Sequence, residues 1–267
     1  MDQRRSASSA SGTVSRARKL QKRSARYDAG LFLAEGPQAV REALNTGSAQ
    51  ELFVSPDAAL RFPDLVSQAQ ATGCLVIDVD DRTLASISDT VNPQGLVAVS
   101  SLHVTQLEQI AQVGNLLVVL VEARDPGNIG TIIRIADAAG ADGVLLTADS
   151  VDPFNSKSVR SSAGSVFHLP LVVGVSTYEL ADQARSNRIT LVGATGDAQR
   201  SLFDPRAADV LRGRIAWLFG NEAHGLPQAA RDLCDTELKI PIFGRAESLN
   251  IAAAAAVCLY ESARLRR

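Results

Sequence analysis

Apolar segments that alternate with helix-like segments over residues 116–242 constrain the fold more than any other feature of the sequence. The apolar segments contain few polar residues, which is typical of strands that are covered on both faces. The segments between them predict helices over 128–140, 176–187 and 227–234, and a last helix follows Asn250. This alternation predicts an α/β domain built on a parallel sheet. The predicted strands cover residues 116–123, 143–147, 189–195, 214–220 and 237–242.

A shorter αβ pattern precedes this series. Residues 1–12 are rich in Ser and Ala and predict a disordered tail. A basic helix is predicted over 14–26, with further helices over 37–45 and 57–72. Strands are predicted over 31–36, 51–55, 74–79 and 95–100. The predicted organisation is a tail at 1–12, a small αβ domain at 13–101, a linker at 102–114 and a larger α/β domain at 115–267.

The charge of the chain is unevenly distributed. Residues 1–28 carry eight Lys and Arg and two Asp, a net charge of +6, and because the whole chain carries −2, the other residues carry −8. A basic segment on an acidic protein favours a polyanionic partner, and the alternative is a solvated tail without a partner. The stretch 155–164 sets Lys and Arg among serines, which suits phosphate contacts. The candidate phosphate-contacting residues are Arg16, Arg18, Lys19, Lys22, Arg23, Arg26, Lys157 and Arg160.

Composition disfavours several other classes of protein. No apolar run approaches the ~20 residues that span a bilayer, and no apolar h-region follows the basic N-terminal residues, so we expect neither a membrane span nor a signal peptide. The three cysteines, Cys74, Cys234 and Cys258, are widely spaced and form no CxxC. We therefore expect no disulfide framework and no metal site, which fits a reducing cytoplasm.

Two segments of the C-terminal half place polar residues just after a predicted strand. In "DPGNIGTIIRIADAAG", which begins at Asp125, Asn128 and Arg134 interrupt an otherwise apolar helix. The alternative for Arg134 is a surface pair with Asp137, three residues later. In "LFGNEAHGLP" (218–227), Gly220 would let a ligand approach the backbone and Glu222 follows at the strand end. For the nearby histidine, His224, a structural role is favoured over a general base.

A third segment, "IPIFGRAESLN" (240–250), ends in Ser248 and Asn250, either of which could instead cap the alanine-rich helix that follows. Ligands of parallel sheets collect outside the carboxyl ends of the strands, so these segments and "GATGDAQ" (193–199) predict one binding site. The sequence contains no G-x-G-x-x-G fingerprint that fits a nicotinamide enzyme and no GK[ST] loop of an NTPase, which disfavours both classes.

Taken together, the three segments resemble the three motifs of the SpoU-type (TrmH-like) RNA ribose 2′-O-methyltransferases of the SPOUT class, and the resemblance covers residues 116–267 closely. "FLAEGPQAVREAL" and "NPQGLVAV" resemble the substrate-binding domain, similar to ribosomal protein L30e, that often precedes the catalytic domain. The resemblance implies a deep C-terminal trefoil knot, a homodimer formed through the catalytic domain, and S-adenosylmethionine as the cofactor.

The resemblance also assigns roles to individual residues. One departure is Ala223–His224, where many relatives have Gly and another residue, so no special role is assigned to His224. The implied cofactor contacts are Thr195, Gly196, Gly220, Ile240 and Leu249. The implied catalytic residues are Asn128, Arg134, Glu222, Ser248 and Asn250.

The expected function is S-adenosylmethionine-dependent 2′-O-methylation of RNA. The expected substrate is 23S ribosomal RNA, because an N-terminal domain of this type is commoner among enzymes that modify the large-subunit RNA. The alternatives are a transfer RNA 2′-O-methyltransferase, an enzyme that methylates a base, and an RNA-binding relative without catalytic activity. The presence of all five polar active-site residues argues against the last alternative.

Overall fold

The computed structural model describes residues 4–8, 11–221 and 224–266. The chain folds as two units. The N-terminal unit contains the residues up to His103 together with Asp152–His168, and the C-terminal unit contains Val104–Val151 and the residues from Leu169 onwards. Within the described residues, no helix is both long enough and apolar enough to cross a membrane.

The N-terminal unit is built on a mixed five-stranded sheet with the order β1-β4-β3-β5-β2. The strands β1, β4 and β3 are parallel to one another, whereas β5 is antiparallel to both of its neighbours. Its strands are β1 (Arg4–Ser6), β2 (Leu31–Glu35), β3 (Ala49–Val54), β4 (Leu75–Asp78) and β5 (Leu96–Ser101). Its helices are α1 (Gly12–Lys19), α2 (Arg23–Ala29), α3 (Pro37–Asn45), α4 (Pro56–Arg61), α5 (Pro63–Ala71), α6 (Asp81–Ile87) and α9 (Ser156–Ser162), followed by a 3₁₀ turn at Ser165–Phe167.

The C-terminal unit is built on a seven-stranded sheet with the order β10-β12-β9-β11-β6-β7-β8, in which every neighbouring pair is parallel. Its strands are β6 (Leu116–Leu120), β7 (Gly143–Thr147), β8 (Leu171–Val175), β9 (Thr190–Ala194), β10 (Arg200–Ser201), β11 (Ile215–Phe219) and β12 (Thr236–Lys239). Its helices are α7 (Leu107–Val113), α8 (Pro126–Ala139), α10 (Thr177–Asn187), α11 (Pro205–Arg212), α12 (Gln228–Arg231) and α13 (Ile251–Arg266). The predicted α/β fold with a parallel sheet is confirmed.

The core of the C-terminal unit lies on both faces of its central strands. The strands β6, β7 and β11 are buried along their whole length, which explains why their sequences are almost entirely apolar. Trp217 of β11 is fully buried, and its indole N–H donates to Ser262 Oγ of α13 at 2.9 Å. This bond satisfies the polar atom of a buried tryptophan and fixes the last helix against the sheet.

The N-terminal residues differ from the predicted disordered tail. Arg4–Ser6 form strand β1, which pairs with β4, and the Arg4 guanidinium binds both carboxylate oxygens of Asp78 at 2.7 and 2.8 Å. The edge of β4 offers unpaired backbone groups to a further strand, which explains the pairing. The predicted helix over 14–26 is likewise two helices, α1 and α2, and the predicted helix over 57–72 is divided into α4 and α5 before Pro63.

Asp152–His168 lies in the middle of the sequence of the predicted catalytic domain, yet it packs with the N-terminal unit. Aromatic contacts explain this position. The ring of Phe32 on β2 lies 5.1 Å from the ring of Phe154 and 5.4 Å from the ring of Phe167, measured between centroids. Burial of aromatic side chains is favourable, so Phe154 and Phe167 pack this segment against Phe32 of β2.

Candidate active site

A cavity of about 480 Å³ opens at the carboxyl ends of β9, β11 and β12. These strands are neighbours in the parallel sheet, so their carboxyl ends meet at one edge, as the sequence predicts. The volume lies within the usual range for a small-molecule site, roughly 300–1,000 Å³. The lining residues come from the strand ends and from the loop that leads into α13: Ala194, Thr195, Gly196, Phe219, Gly220, Asn221, Gly225, Leu238, Ile240, Ile242, Glu247, Ser248, Leu249, Asn250, Ile251 and Ala254.

All five residues predicted to contact a cofactor line this cavity. Thr195 lines the wall, and its hydroxyl lies beside the carboxylate of Asp197. A side chain at Gly196 would enter open space, which leaves the backbone there accessible. Ile240 and Leu249 add apolar surface. The wall therefore combines apolar area with a few polar groups, as small-molecule sites do.

Gly220 is required by the protein backbone itself. A Cβ atom at this position would lie 2.1–2.2 Å from backbone atoms of Gly225 and Leu226, so no other residue fits without moving the chain. The close approach arises because the backbones of Asn221 and Gly225 exchange two hydrogen bonds, at 3.0 and 2.8 Å. The Asn221 side chain donates to the carbonyl of Glu122 at 3.0 Å, which anchors this turn to the end of β6. Asn221 is a cavity residue that the sequence prediction missed, although it directly follows Gly220 at the strand end.

Asn250 performs two tasks. Its Oδ1 accepts a hydrogen bond from the backbone N–H of Ala252 at 2.9 Å and so caps the start of α13. Its Nδ2 donates to Oδ1 of Asn128 in the first turn of α8 at 3.2 Å. Two residues predicted to be catalytic, 122 positions apart, are therefore joined at the cavity. Ser248 also lines the cavity, and Glu247 beside it is a second lining residue that the prediction missed.

The remaining predicted catalytic residues lie elsewhere or outside the described residues. Arg134 is exposed on α8, six residues after Asn128 and therefore about 9 Å further along the helix axis, and it does not line the cavity. Glu222 lies outside the described residues. His224 is exposed and is not a lining residue. No group of three or more His, Cys, Asp or Glu within the described ranges is arranged to hold a metal ion.

Arg26 is buried, which corrects its prediction as a phosphate contact. Its side chain is 5% exposed, and its guanidinium binds Asp152, whose side chain is also 5% exposed, through Nε at 2.8 Å and through Nη2. Its Nη1 donates to the carbonyls of Leu20 and Gln21 at 2.9 and 3.0 Å. Tyr27 donates its hydroxyl to the same carboxylate at 3.1 Å. Because its donors are taken up inside the N-terminal unit, Arg26 fixes the turn between α1 and α2 rather than contacting a ligand.

Arg160 is also engaged within the N-terminal unit. Its Nη1 lies 3.1 Å from Oε2 of Glu35, whose side chain is buried. Glu35 also accepts hydrogen bonds from the Ser88 hydroxyl, the Asp89 backbone and the Thr90 hydroxyl. The carboxylate therefore organises the loop before β5, and Arg160 belongs to that structural network.

The other predicted cations differ in their surroundings. Arg16 pairs with Glu51 at 2.9 Å, and Arg18 donates to the Ser86 hydroxyl. Lys157 is exposed on α9. The remaining three, Lys19, Lys22 and Arg23, are exposed around the turn between α1 and α2, the turn that Arg26 fixes. We name these three residues the cationic turn.

Comparison with known proteins identifies the family. The sequence model of the SpoU rRNA Methylase family matches residues 115–260, which is more than half of the chain. This chain belongs to the SpoU rRNA methylase family. The sequence model of the MRM3-like substrate binding domain matches residues 12–98, which lie in the N-terminal unit. The resemblance inferred from the three motifs and from the N-terminal segments is confirmed.

Similar proteins cover nearly the whole chain. The "23S rRNA (guanosine(2553)-2′-O)-methyltransferase RlmP" of Bacillus subtilis (strain 168) is 34% identical over 249 residues, which is 91% of this chain and 92% of that protein. The crystal structure of the SpoU methyltransferase AviRb from Streptomyces viridochromogenes in complex with AdoMet has a TM-score of 0.83 at 32% identity and covers 96% of this chain and 99% of that one. An AdoMet-bound rRNA methyltransferase from Sinorhizobium meliloti has a TM-score of 0.82 at 30% identity and covers 98% of both chains.

Proposed function

We propose that this protein is an S-adenosylmethionine-dependent RNA ribose 2′-O-methyltransferase that acts on 23S ribosomal RNA. The observation that carries this proposal is the cavity at the ends of β9, β11 and β12, which gathers the five implied cofactor contacts and borders the Asn128–Asn250 pair. The names of family relatives support both the reaction and the substrate, since they describe 23S rRNA 2′-O-methyltransferases and AdoMet-bound structures. The chain is similar to these proteins across both units.

The cavity suits S-adenosylmethionine in chemistry as well as in size. Thr195 and the accessible backbone at Gly196 offer polar contacts, and Ile240 and Leu249 offer apolar walls for the adenine and methionine parts. When bound, the cofactor supplies an electrophilic methyl group on a sulfonium. The protein then has to position the ribose 2′-hydroxyl and assist the loss of its proton.

The polar residues around the cavity divide this work. Asn128 and Asn250 hold each other and fix the start of α13 at the cavity. Ser248 and Glu222 are proposed to orient the ribose and the arginine by hydrogen bonds. Arg134 is proposed to bind the target nucleotide and to stabilise negative charge that develops on the 2′-oxygen. A guanidinium keeps its proton near neutral pH, so electrostatic support rather than proton abstraction is the assigned role.

An arginine pair tests this assignment. Arg134→Ala is expected to lower the methylation rate at saturating S-adenosylmethionine by about 100-fold, the scale seen when one stabilising group is lost, while cofactor binding is retained. Arg185→Ala is the matched control, because Arg185 is also an exposed arginine on a helix of the C-terminal unit. A rate for Arg134→Ala close to that of the control would remove the catalytic role.

The RNA target is identified by mapping 2′-O-methyl groups in ribosomal and transfer RNA from cells with and without the gene. The names of the relatives include a guanosine and a uridine in 23S rRNA, so the map has to read every nucleotide of that RNA. A methyl group lost from 23S rRNA supports the proposal. A loss confined to transfer RNA would replace the proposed substrate with the alternative one.

The proposed RNA contact of the N-terminal unit is the cationic turn, because its side chains are exposed and the turn is fixed from within by Arg26. Phosphate contacts of this kind bring affinity without base specificity.

The proposed assembly is a homodimer formed through the catalytic domain in the cytoplasm, together with a knotted C-terminal chain. Exposed aromatic side chains support an interface in the C-terminal unit: Phe243 is 91% exposed, and Tyr260 on α13 is 54% exposed. Sedimentation of the purified protein tests the oligomeric state. A monomer across micromolar concentrations would refute the dimer.

A further inference from the structure

Arg231, at the end of α12, joins two segments whose residues line the cavity. Arg231 itself is not a lining residue. Its Nε and Nη2 bind the two carboxylate oxygens of Glu237 at 2.7 and 2.8 Å. Its Nη1 binds Oδ2 of Asp197 at 3.0 Å. One guanidinium therefore holds a carboxylate on β12 and a carboxylate on the loop that follows β9.

Both carboxylates are next to cavity residues. Glu237 directly precedes Leu238, and Asp197 directly follows Gly196. The bidentate contact with Glu237 fixes the plane of the Arg231 guanidinium. Its Nη1 is therefore already oriented when it binds Asp197. The position of Gly196 and Asp197 relative to β12 consequently depends on where Arg231 holds Asp197.

The bodies of the two strands are held by other bonds. The backbone of Thr195 donates to the carbonyl of Leu238 at 3.2 Å. Asp235, just before β12, accepts from the Leu191 N–H through its side chain at 2.8 Å and donates its own backbone N–H to the Leu191 carbonyl at 2.9 Å. These bonds join β9 to the chain around β12 without Arg231. The loss of the Arg231 side chain is therefore expected to free the loop while the sheet stays intact.

Exposure also indicates a local role. The Arg231 side chain is 27% exposed and that of Asp197 is 68% exposed, so their contact lies at the rim of the unit rather than in its core. An exposed ion pair contributes little to global stability. The Arg231 guanidinium does hold the pKa of the Asp197 carboxyl below its usual range, so the aspartate remains charged and paired at neutral pH.

We propose that Arg231 is a positioning residue for the cofactor: through Asp197 and Glu237 it sets Gly196 and Asp197 against β12 and thereby the shape of the cavity. This inference rests on the proposed binding of S-adenosylmethionine. Arg231 is outside the lining and does not touch the cofactor. It acts on affinity for the cofactor and leaves the chemical step to the residues around Asn128 and Asn250.

Titration calorimetry with S-adenosylmethionine tests this role on the full-length protein. Arg231→Met is expected to raise the Kd about tenfold, or about 1.4 kcal/mol, because the cofactor then has to order the freed backbone around Gly196 when it binds. Asp197→Asn is expected to produce part of the same increase, and the double variant should bind no more weakly than Arg231→Met alone, because Arg231→Met already removes the contact that Asp197→Asn weakens. Arg206→Met is the matched control, since Arg206 also pairs with a nearby aspartate, Asp204, but does not line or adjoin the cavity.

Steady-state kinetics separate positioning from a general loss of structure. For Arg231→Met, the KM for S-adenosylmethionine should rise about tenfold while kcat and the KM for RNA stay near their wild-type values, since only cofactor affinity changes. Arg231→Lys, which keeps the charge but not the bidentate contact, should lie between wild type and Arg231→Met. If Arg231→Met does not fold, Asp197→Asn carries the same test, because this exposed side chain can be changed without disturbing the core.

The outcomes distinguish the inference from the proposed function. If wild-type protein binds S-adenosylmethionine and Arg231→Met and Asp197→Asn bind it with unchanged Kd, the positioning role is refuted and the proposed function stands. If Arg206→Met weakens binding as much as Arg231→Met does, the effect is not specific to the loop and the inference is refuted. If the wild type itself shows no binding, the proposed function fails.

Discussion

The buried pair between Arg26 and Asp152 provides the sharpest test of the N-terminal unit. Asp152→Asn keeps an acceptor for the Phe154 backbone N–H, which lies 3.0 Å from Asp152 Oδ1, but removes the charge that compensates Arg26. Breaking a buried pair by removing one partner costs about 3–5 kcal/mol, because the other charge stays buried without compensation. Arg26→Met/Asp152→Asn removes both charges and leaves only neutral groups to be satisfied. We therefore expect the double variant to be more stable than Asp152→Asn by about 1–3 kcal/mol.

Urea unfolding with two probes measures this difference. The chain has a single tryptophan, Trp217, which is buried in the C-terminal unit, so its fluorescence reports that unit. Circular dichroism reports the helices of both units. A circular-dichroism transition at a lower urea concentration than the Trp217 fluorescence transition is therefore assigned to unfolding of the N-terminal unit. A double variant that is no more stable than Asp152→Asn would refute the argument from uncompensated charge.

Three further results are expected. Replacing the cationic turn by Lys19→Gln/Lys22→Gln/Arg23→Gln should reduce the slope of log K against log salt for RNA binding by about 2–3, whereas Arg206→Met, at an exposed arginine of the C-terminal unit, should leave the slope unchanged, and equal slopes for both would refute the assignment. Ala255→Leu, at a fully buried position of α13, should cost about 1–3 kcal/mol of stability, whereas Ala254→Leu should chiefly weaken binding of S-adenosylmethionine, because Ala254 lines the cavity. Burial, with a smaller contribution from nearby carboxylates, raises the pKa of Cys74 and of Cys234 to about 12. The folding free energy linked to these thiols is therefore fully present below their ordinary pKa near 9, and it is lost as the pH rises towards 12. The urea midpoint should therefore fall between pH 8 and pH 10, and a Cys74→Ala/Cys234→Ala variant should show a smaller fall.

The parallel sheet could be predicted because its signal is local. The strand β7 was predicted at its observed bounds, and β9 and β11 were each predicted one residue too long at both ends. These segments are apolar throughout, as strands covered on both faces must be. The strand β8 was missed: it is five residues long, and Gly174 within it has a φ of +85° where the register with β7 shifts. The sequence of β8, LVVGV, is as apolar as that of β7, GVLLT, so the apolar signal was present and the prediction overlooked it.

The gathering of the cavity residues could also be predicted, because parallel strands place their carboxyl ends at one edge. The contacts of Arg26 could not be predicted from the sequence. Its partner lies 126 positions away in a segment whose sequence neighbours form the other unit, and no periodic pattern marks a pair that is formed by tertiary packing. A run of basic residues predicts a charged surface on average, but burial decides the role of each member. In this run, Arg26 is buried and supports the turn from within, whereas the three residues of the cationic turn are exposed.

The alanine run at the start of α13 is explained by the cavity and the core together. Its first turn must accept the cap from Asn250, border the cavity at Ala254 and pack without exposure at Ala255. A larger side chain at Ala254 would take volume from the cavity, and one at Ala255, which is fully buried, would overpack the core. Alanine meets both steric limits and is also the strongest helix former, so the helix keeps its stability without bulk. The small residues are therefore placed by two different constraints on adjacent positions, one from the binding site and one from the core.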